Sequence, residues 1–94
     1  MITRKQLETA LDDESKDPYK IDIDADHDVK VINLLRDKIP YEEVKSIIRG
    51  AKDDVIYLCD IDVVLPYLTE DDLIILADCN VWIDTDVDSL ALFV

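Results

Sequence analysis

Aspartate dominates the acidic residues of this chain, with 18 Asp against five Glu. Asp is a poor helix-interior residue, because its short side chain competes for backbone hydrogen bonds, yet it caps helices and fills turns well. Many of these carboxylates therefore belong at the ends of elements. The bases are distributed just as unevenly. All ten Lys and Arg fall between Arg4 and Lys52, so the first 52 residues, with 12 acids, sum to −2. The remaining 42 residues carry 11 carboxylates and no base, a sum of −11. Self-repulsion of this kind works mildly against compaction and specifies no fold. It does select partners, attracting cationic surfaces and repelling nucleic acid and anionic membrane.

A length of 94 residues sets the expectation of one domain over 1–94. Such a domain buries about 60–65% of its unfolded surface, enough for one modest core. At 49% apolar the chain is too hydrophobic for a disordered acidic tail. Its single Gly and three Pro leave few places for long irregular loops. Cys59 and Cys79 lie in apolar surroundings with neither metal-ligand spacing nor a CxxC, and read as reduced, buried thiols. No apolar run reaches the length of a signal peptide or the ~20 residues of a membrane span, so the expected compartment is the cytoplasm.

Thr3 and Gln6 form a T-x-x-Q capping box that opens a first helix with a thin stripe of Leu7, Ala10 and Leu11. The helix and the polar linker that follows it account for residues 1–17. Over 19–25, Ile21, Ile23 and Ala25 alternate with Asp22, Asp24 and Asp26, a half-buried strand or an extended edge. The period then becomes helical through Val31, Ile32, Leu34, Leu35 and Ile39, with Asp28 as N-cap. The best-marked helix is expected over 40–50. Pro40 suits its first position, Glu42 and Glu43 its positive end, and Lys45 and Arg49 its negative end. Val44, Ile47 and Ile48 form its stripe and Gly50 stops it. Another helix starts at Thr69, with acids in its first turn and Asn80 as C-cap. Its LIILA interior is apolar on nearly every side, which predicts a central, buried position.

A shift of 26 residues aligns 46–68 with 72–94 and gives five identities, clearest where DIDVVLPYL lies over DVDSLALFV. As a repeat, each unit would be a helix, a connector, and a D-x-D cap opening a short apolar helix. The connectors VIYLC and VWIDT, at 55–59 and 81–85, could instead pair as two short strands. The expected fold is mainly α, a single-domain array of four to five helices with at most a two-stranded element. The alternative is α+β with strands at 19–25, 55–59 and 81–86.

No motif names a chemistry. A D-x-D-x-D calcium loop starting at Asp22 has His27 where Gly is required and Asn33 where the bidentate Glu belongs, and one starting at Asp84 runs out of chain. Asp88, Ser89 and Leu90 resemble the attachment triplet of acyl carrier proteins, but only four residues follow Leu90, and Ser89 reads as a cap on a terminal helix. His27 is the only histidine and has no serine or cysteine beside it; no Gly-rich loop could cradle a phosphate. A non-enzymatic protein without cofactor or metal is expected, and direct nucleic-acid binding is not.

The charge pattern remains. Carboxylates at i and i+2 in an extended segment stand roughly 6.5–7 Å apart on one face, close to the spacing of neighbouring phosphates on a nucleic-acid strand. Asp22, Asp24, Asp26 and Asp28, Asp60 and Asp62, and Asp84, Asp86 and Asp88 all have this spacing. These nine are the candidate partner-binding residues. Those after residue 52 lack basic sequence neighbours to neutralise them, whereas Glu42 and Glu43 share their expected helix with Lys45 and Arg49. In size, charge and lack of enzymatic motifs the chain resembles the small acidic inhibitors of phages and mobile elements, the DNA-mimic anti-restriction and anti-CRISPR proteins. That resemblance implies an inhibitor that occupies the basic groove of a nucleic-acid-binding host protein. The other expectation is an adaptor or immunity-type module for a basic protein unrelated to nucleic acid.

Overall fold

Two helices begin where their capping residues place them. In the computed structural model, which describes residues 2–11 and 26–93, Thr3 caps α1 (Arg4–Ala10) and closes a full capping box with Gln6. Thr69 caps α4 (Glu70–Asp78) in the same way with Asp72. The far end of α4 is a Schellman motif. Asn80 takes the left-handed conformation at φ 62°, its amide donates to Ala77, and the Val81 amide reaches back to Leu76. Between these helices lies α2 (His27–Lys38), whose cap is Asp26 rather than Asp28. The strand or edge expected over 19–25 lies outside the described residues.

The expectation of a mainly helical array is wrong. Four strands, β1 (Gly50–Lys52), β2 (Val55–Asp60), β3 (Trp82–Asp84) and β4 (Ser89–Phe93), form one antiparallel sheet in the order β1-β2-β4-β3. The fold is α+β. VIYLC and VWIDT are strands, as the alternative held, but they do not pair with each other. β4, read from sequence as a short terminal helix, lies between them. Its SLALF is buried at four of five positions, three of them apolar, which suits a strand covered on both faces as well as it suits a helix. The units of the 26-residue shift fold differently: DIDVVLPYL is the end of β2, α3 (Ile61–Val64) and a 3-10 turn, whereas DVDSLALFV is a turn and β4.

The helix expected over 40–50 does not form. One turn starts, with the Glu43 and Val44 amides donating to Pro40, and then stops. The carbonyls of Val44 and Lys45 accept instead from the Arg36 guanidinium at 2.9 and 3.2 Å, and the Arg49 amide donates to Tyr57 of β2. The local helix signals are outweighed because the sheet and Arg36 take the backbone groups a helix would need. Gly50 opens β1 rather than closing a helix.

One cluster forms the core. Leu90 and Leu92 of β4, with Ile56 and Ile83 opposite them in register, face Leu7 of α1, Val31 and Leu35 of α2, Ile61 and Val64 of α3, and Leu73 and Leu76 of α4. On the other face Tyr57 and Trp82 flank the fully buried Ala91, and Trp82 stacks on Phe93 at 4.3 Å between ring centroids. Cys59 and Cys79 are both buried and in the reduced, thiol form. No helix among the described residues is long and apolar enough to cross a membrane.

Asp53 and Asp54 join β1 to β2 with φ of 51° and 67°, the left-handed pair of a type I′ turn. Asn-Gly is the pair best suited to that geometry, and it removes two carboxylates from a chain of net charge −13. Asp53→Asn with Asp54→Gly should stabilise the fold by roughly 0.5–1 kcal/mol, seen as a rise of about 2–8 °C in a thermal melt. A fall in Tm would show that these carboxylates hold the turn through contacts of their own.

Candidate partner-binding surface

Arg4, near the N-terminus, reaches carboxylates that sequence places 58 and 84 residues away. Its guanidinium bridges Asp88 through both terminal nitrogens, lies 3.4 Å from Asp62, and binds Glu8 one turn along α1 at 3.0 Å. Arg49 pairs with Asp60 at 3.0 Å, and Lys38 with the buried Asp72 at 3.3 Å. The base-free half of the chain is therefore not free of ion pairs. Three bases from the first half neutralise four of its acids, a pairing that sequence neighbours could not reveal.

The nine candidate acids take several roles. Asp22 and Asp24 lie outside the described residues. Asp26 occupies the N-cap position of α2, and Asp28 in its first turn accepts the Val29 amide. Asp60 precedes α3 as its N-cap residue and Asp62 sits in its first turn, so these two are not an extended comb. Asp84 ends β3 and accepts the Asp86 amide at 2.9 Å, and Asp88 has φ 53°. This third set is a turn between antiparallel strands. The extended spacing that matched phosphates is thus absent from Asp60, Asp62, Asp84, Asp86 and Asp88. The structure does bring Asp62 and Asp88 together, around Arg4. Glu42 and Glu43 share no helix with Lys45 and Arg49, and among the described residues neither enters an ion pair.

Two cavities meet at the Arg49–Asp60 pair. One, of about 290 Å³, also has Val44, Ser46, Cys59 and Val63 in its wall. The other, of about 220 Å³, is lined by Gly50, Tyr57, Val87 and Ser89. Burial pushes the Cys59 thiol above its ordinary pKa, which keeps it protonated and a poor nucleophile. Ser89 is buried in β4, not exposed on a helix cap, and no histidine lines either cavity. Among the described residues no three His, Cys, Asp or Glu side chains are grouped to hold a metal ion. The only histidine ties α2 to the sheet: its Nε2 is 2.6 Å from the Phe93 carbonyl, which can only accept, so that nitrogen carries the hydrogen.

Among the described residues, the acids that remain outside ion pairs after residue 52 are Asp53, Asp54, Glu70, Asp71, Asp78, Asp84 and Asp86. Sequence reasoning missed Glu70, Asp71 and Asp78 as surface features because the helix they belong to was read as buried all round. The spacing 71, 74, 75, 78 was the available signal, since it marks one face of a helix. Comparison of the chain with protein-family models, curated proteins and solved structures finds no match.

The Arg4 hydrogen bond holds the Asp88 carboxyl below the usual Asp range, and the same contact, with help from Glu8, raises Arg4 further above its already high value. A carboxyl whose folded pKa is depressed adds stability above its unfolded pKa, about 3.9, and loses it as pH falls through the lower folded value. Both side chains are partly exposed, so the contribution is screened and modest. Asp88→Asn keeps a residue suited to the left-handed backbone and removes the charge. The stability gap between wild type and Asp88→Asn, measured by urea denaturation, should be level from pH 7 to about pH 5 and shrink below about pH 4. A gap that persists unchanged at pH 2 would exclude the ion pair as its source.

Proposed function

We propose that this chain is a non-enzymatic acidic binding protein that inhibits a nucleic-acid-binding host protein by occupying its basic groove. The observation that carries this reading is the distribution of charge in the folded chain. A net charge of −13 is spread over 94 residues, while Arg4, Lys38 and Arg49 are directed toward the chain's own carboxylates. Exposed acids remain at the Asp53–Asp54 turn, on α4 and in the turn before β4. Such a surface steers a cationic protein into contact and keeps nucleic acid away from itself. The recognition does not need a phosphate-like comb of extended strands. A folded acidic surface competes for a basic groove through its summed field, with the partner gaining contacts to carboxylates where it otherwise contacts phosphates.

Among the described residues, Asp84 and Asp86 are the members of the candidate set that stay outside ion pairs in the base-free half, and Glu42 and Glu43 join them as contributors. Each exposed pair is worth only ~0.2–1 kcal/mol, so the surface acts through several residues at once.

The partner retained by this protein from its native host, identified by mass spectrometry, supplies the test. Its complex with labelled DNA or RNA should dissociate when this chain is added at low ionic strength. The inhibition should weaken about tenfold or more on raising salt several-fold, because several screened charges act together. A partner that binds this chain and keeps its nucleic acid would overturn the inhibitor reading and leave an adaptor for a basic protein.

A further inference from the structure

α4 turns Glu70, Asp71, Ile74, Ile75 and Asp78 to solvent, and all five are exposed. At ~100° per residue they share one arc of about 140°, opposite the buried Asp72, Leu73 and Leu76. Ile74 is 62% exposed and Ile75 42%. The position expected for this helix was central and buried, and only one side of it is. Neither isoleucine serves the core, and β-branching lowers helix propensity, so neither is explained by local helix stability. Single exposed apolar side chains are ordinary. Here two adjoining ones are framed by three carboxylates, and no base occurs anywhere after residue 52. Glu70 accepts from Gln6 Nε2 at 3.4 Å, while Asp71 and Asp78 enter no ion pair among the described residues.

We propose that this face of α4 docks a partner protein whose contact region is an apolar patch bordered by Lys and Arg. The inference rests on the acidic-binding reading above and locates it. Ile74 and Ile75 provide the dry centre of the contact, and Glu70, Asp71 and Asp78 provide the rim that steers and orients the partner. The face is better placed for this than the D-x-D segments, because Asp60, Asp62 and Asp88 are already engaged by Arg49 and Arg4. A second copy of this chain is a poor occupant. A symmetric contact through α4 would set carboxylates against carboxylates between two molecules of charge −13. A nucleic acid or an anionic bilayer is repelled by the same charges.

The test titrates the full ¹⁵N-labelled chain with a short amphipathic helical peptide bearing a Leu stripe between Lys residues, at low ionic strength. Amide shifts should concentrate on residues 70–78. Ile74→Ser with Ile75→Ser should weaken binding about tenfold, the scale of losing two central apolar contacts. Asp37→Asn, which removes a single exposed charge of α2, should change it by no more than about twofold. The isoleucines are exposed, so the double Ser variant should keep the dispersed spectrum of the fold. If it does not, Asp71→Asn with Asp78→Asn takes its place, with a loss of at least about threefold expected for two rim charges. Shifts centred outside α4, or wild-type affinity in the α4 variants, would overturn the proposal. So would a dimer of the free chain that the Ser variant dissociates, since the face would then belong to a second copy. A companion peptide with Ser replacing the Leu stripe separates this idea from the one beneath it. If that peptide binds equally well with scattered shifts, the α4 site falls and the acidic-binding reading stands. If neither peptide binds at low salt, the acidic-binding reading falls as well.

Discussion

β4 is the last strand in sequence and an interior one in space, and its insertion between β2 and β3 is the constraint from which the other placements follow. Leu90 and Leu92 enter the main core from one face, while Ser89 and Ala91 are buried on the other, so this segment is a strand covered on both sides. With β4 in the middle, β2 must be extended along one side of it. β1 then completes the ladder beyond β2, and the residues before β1 cannot remain helical. The Arg49 amide already belongs to Tyr57, and Arg36 holds the carbonyls of Val44 and Lys45. The irregular segment over 40–49 is a consequence of the sheet, not a weakness of its own sequence.

The carboxylates take part in this folding more than a net charge suggests. All four left-handed positions among the described non-glycine residues carry Asp or Asn: Asp53, Asp54, Asn80 and Asp88. These short polar side chains tolerate that backbone, which is how a chain with one glycine makes tight turns. Asp26 and Asp60 precede helices, Asp72 completes a capping box, and Asp84 stabilises the turn before β4. Arg4 then draws α1 onto α3 and the start of β4 through Asp62 and Asp88. An acidic chain of this kind carries two populations of carboxylate. One shapes and ties the backbone, and the other remains as surface charge. Only the second is open to a partner without loosening the fold, and on α4 it comprises Glu70, Asp71 and Asp78.

α4 shows why the same residues read differently in one and three dimensions. Its LIILA run fits a helix surrounded by other elements, and in isolation nothing marks one side as outward. Docking against α1 and into the common core buries Leu73 and Leu76 and leaves Ile74 and Ile75 on the far side. The acids at Glu70, Asp71 and Asp78 then become the border of an apolar pair. A small domain has too few elements to cover every side of such a helix, and the uncovered side is available for recognition.

The sequence by itself determined the features that arise within a few residues. The capping box at Thr3, the helix start at Thr69, the helical period through Val31 and Leu35, the break at Asn80 and the burial of both cysteines depend on local hydrogen bonding and hydrophobic spacing, and each was legible. Tertiary structure alone decided the rest. SLALF satisfies a buried helix and a buried strand equally, and only its pairing with β2 and β3 resolves the choice. The signals over 40–50 describe a good isolated helix, but the backbone groups there have better partners elsewhere in the fold. The charge asymmetry was visible at once, yet its meaning changed when Arg4, Lys38 and Arg49 reached across the chain to acids that have no basic sequence neighbours. Sequence separation carries no information about such pairs, because an ion pair forms wherever the packing of apolar faces brings opposite charges within reach.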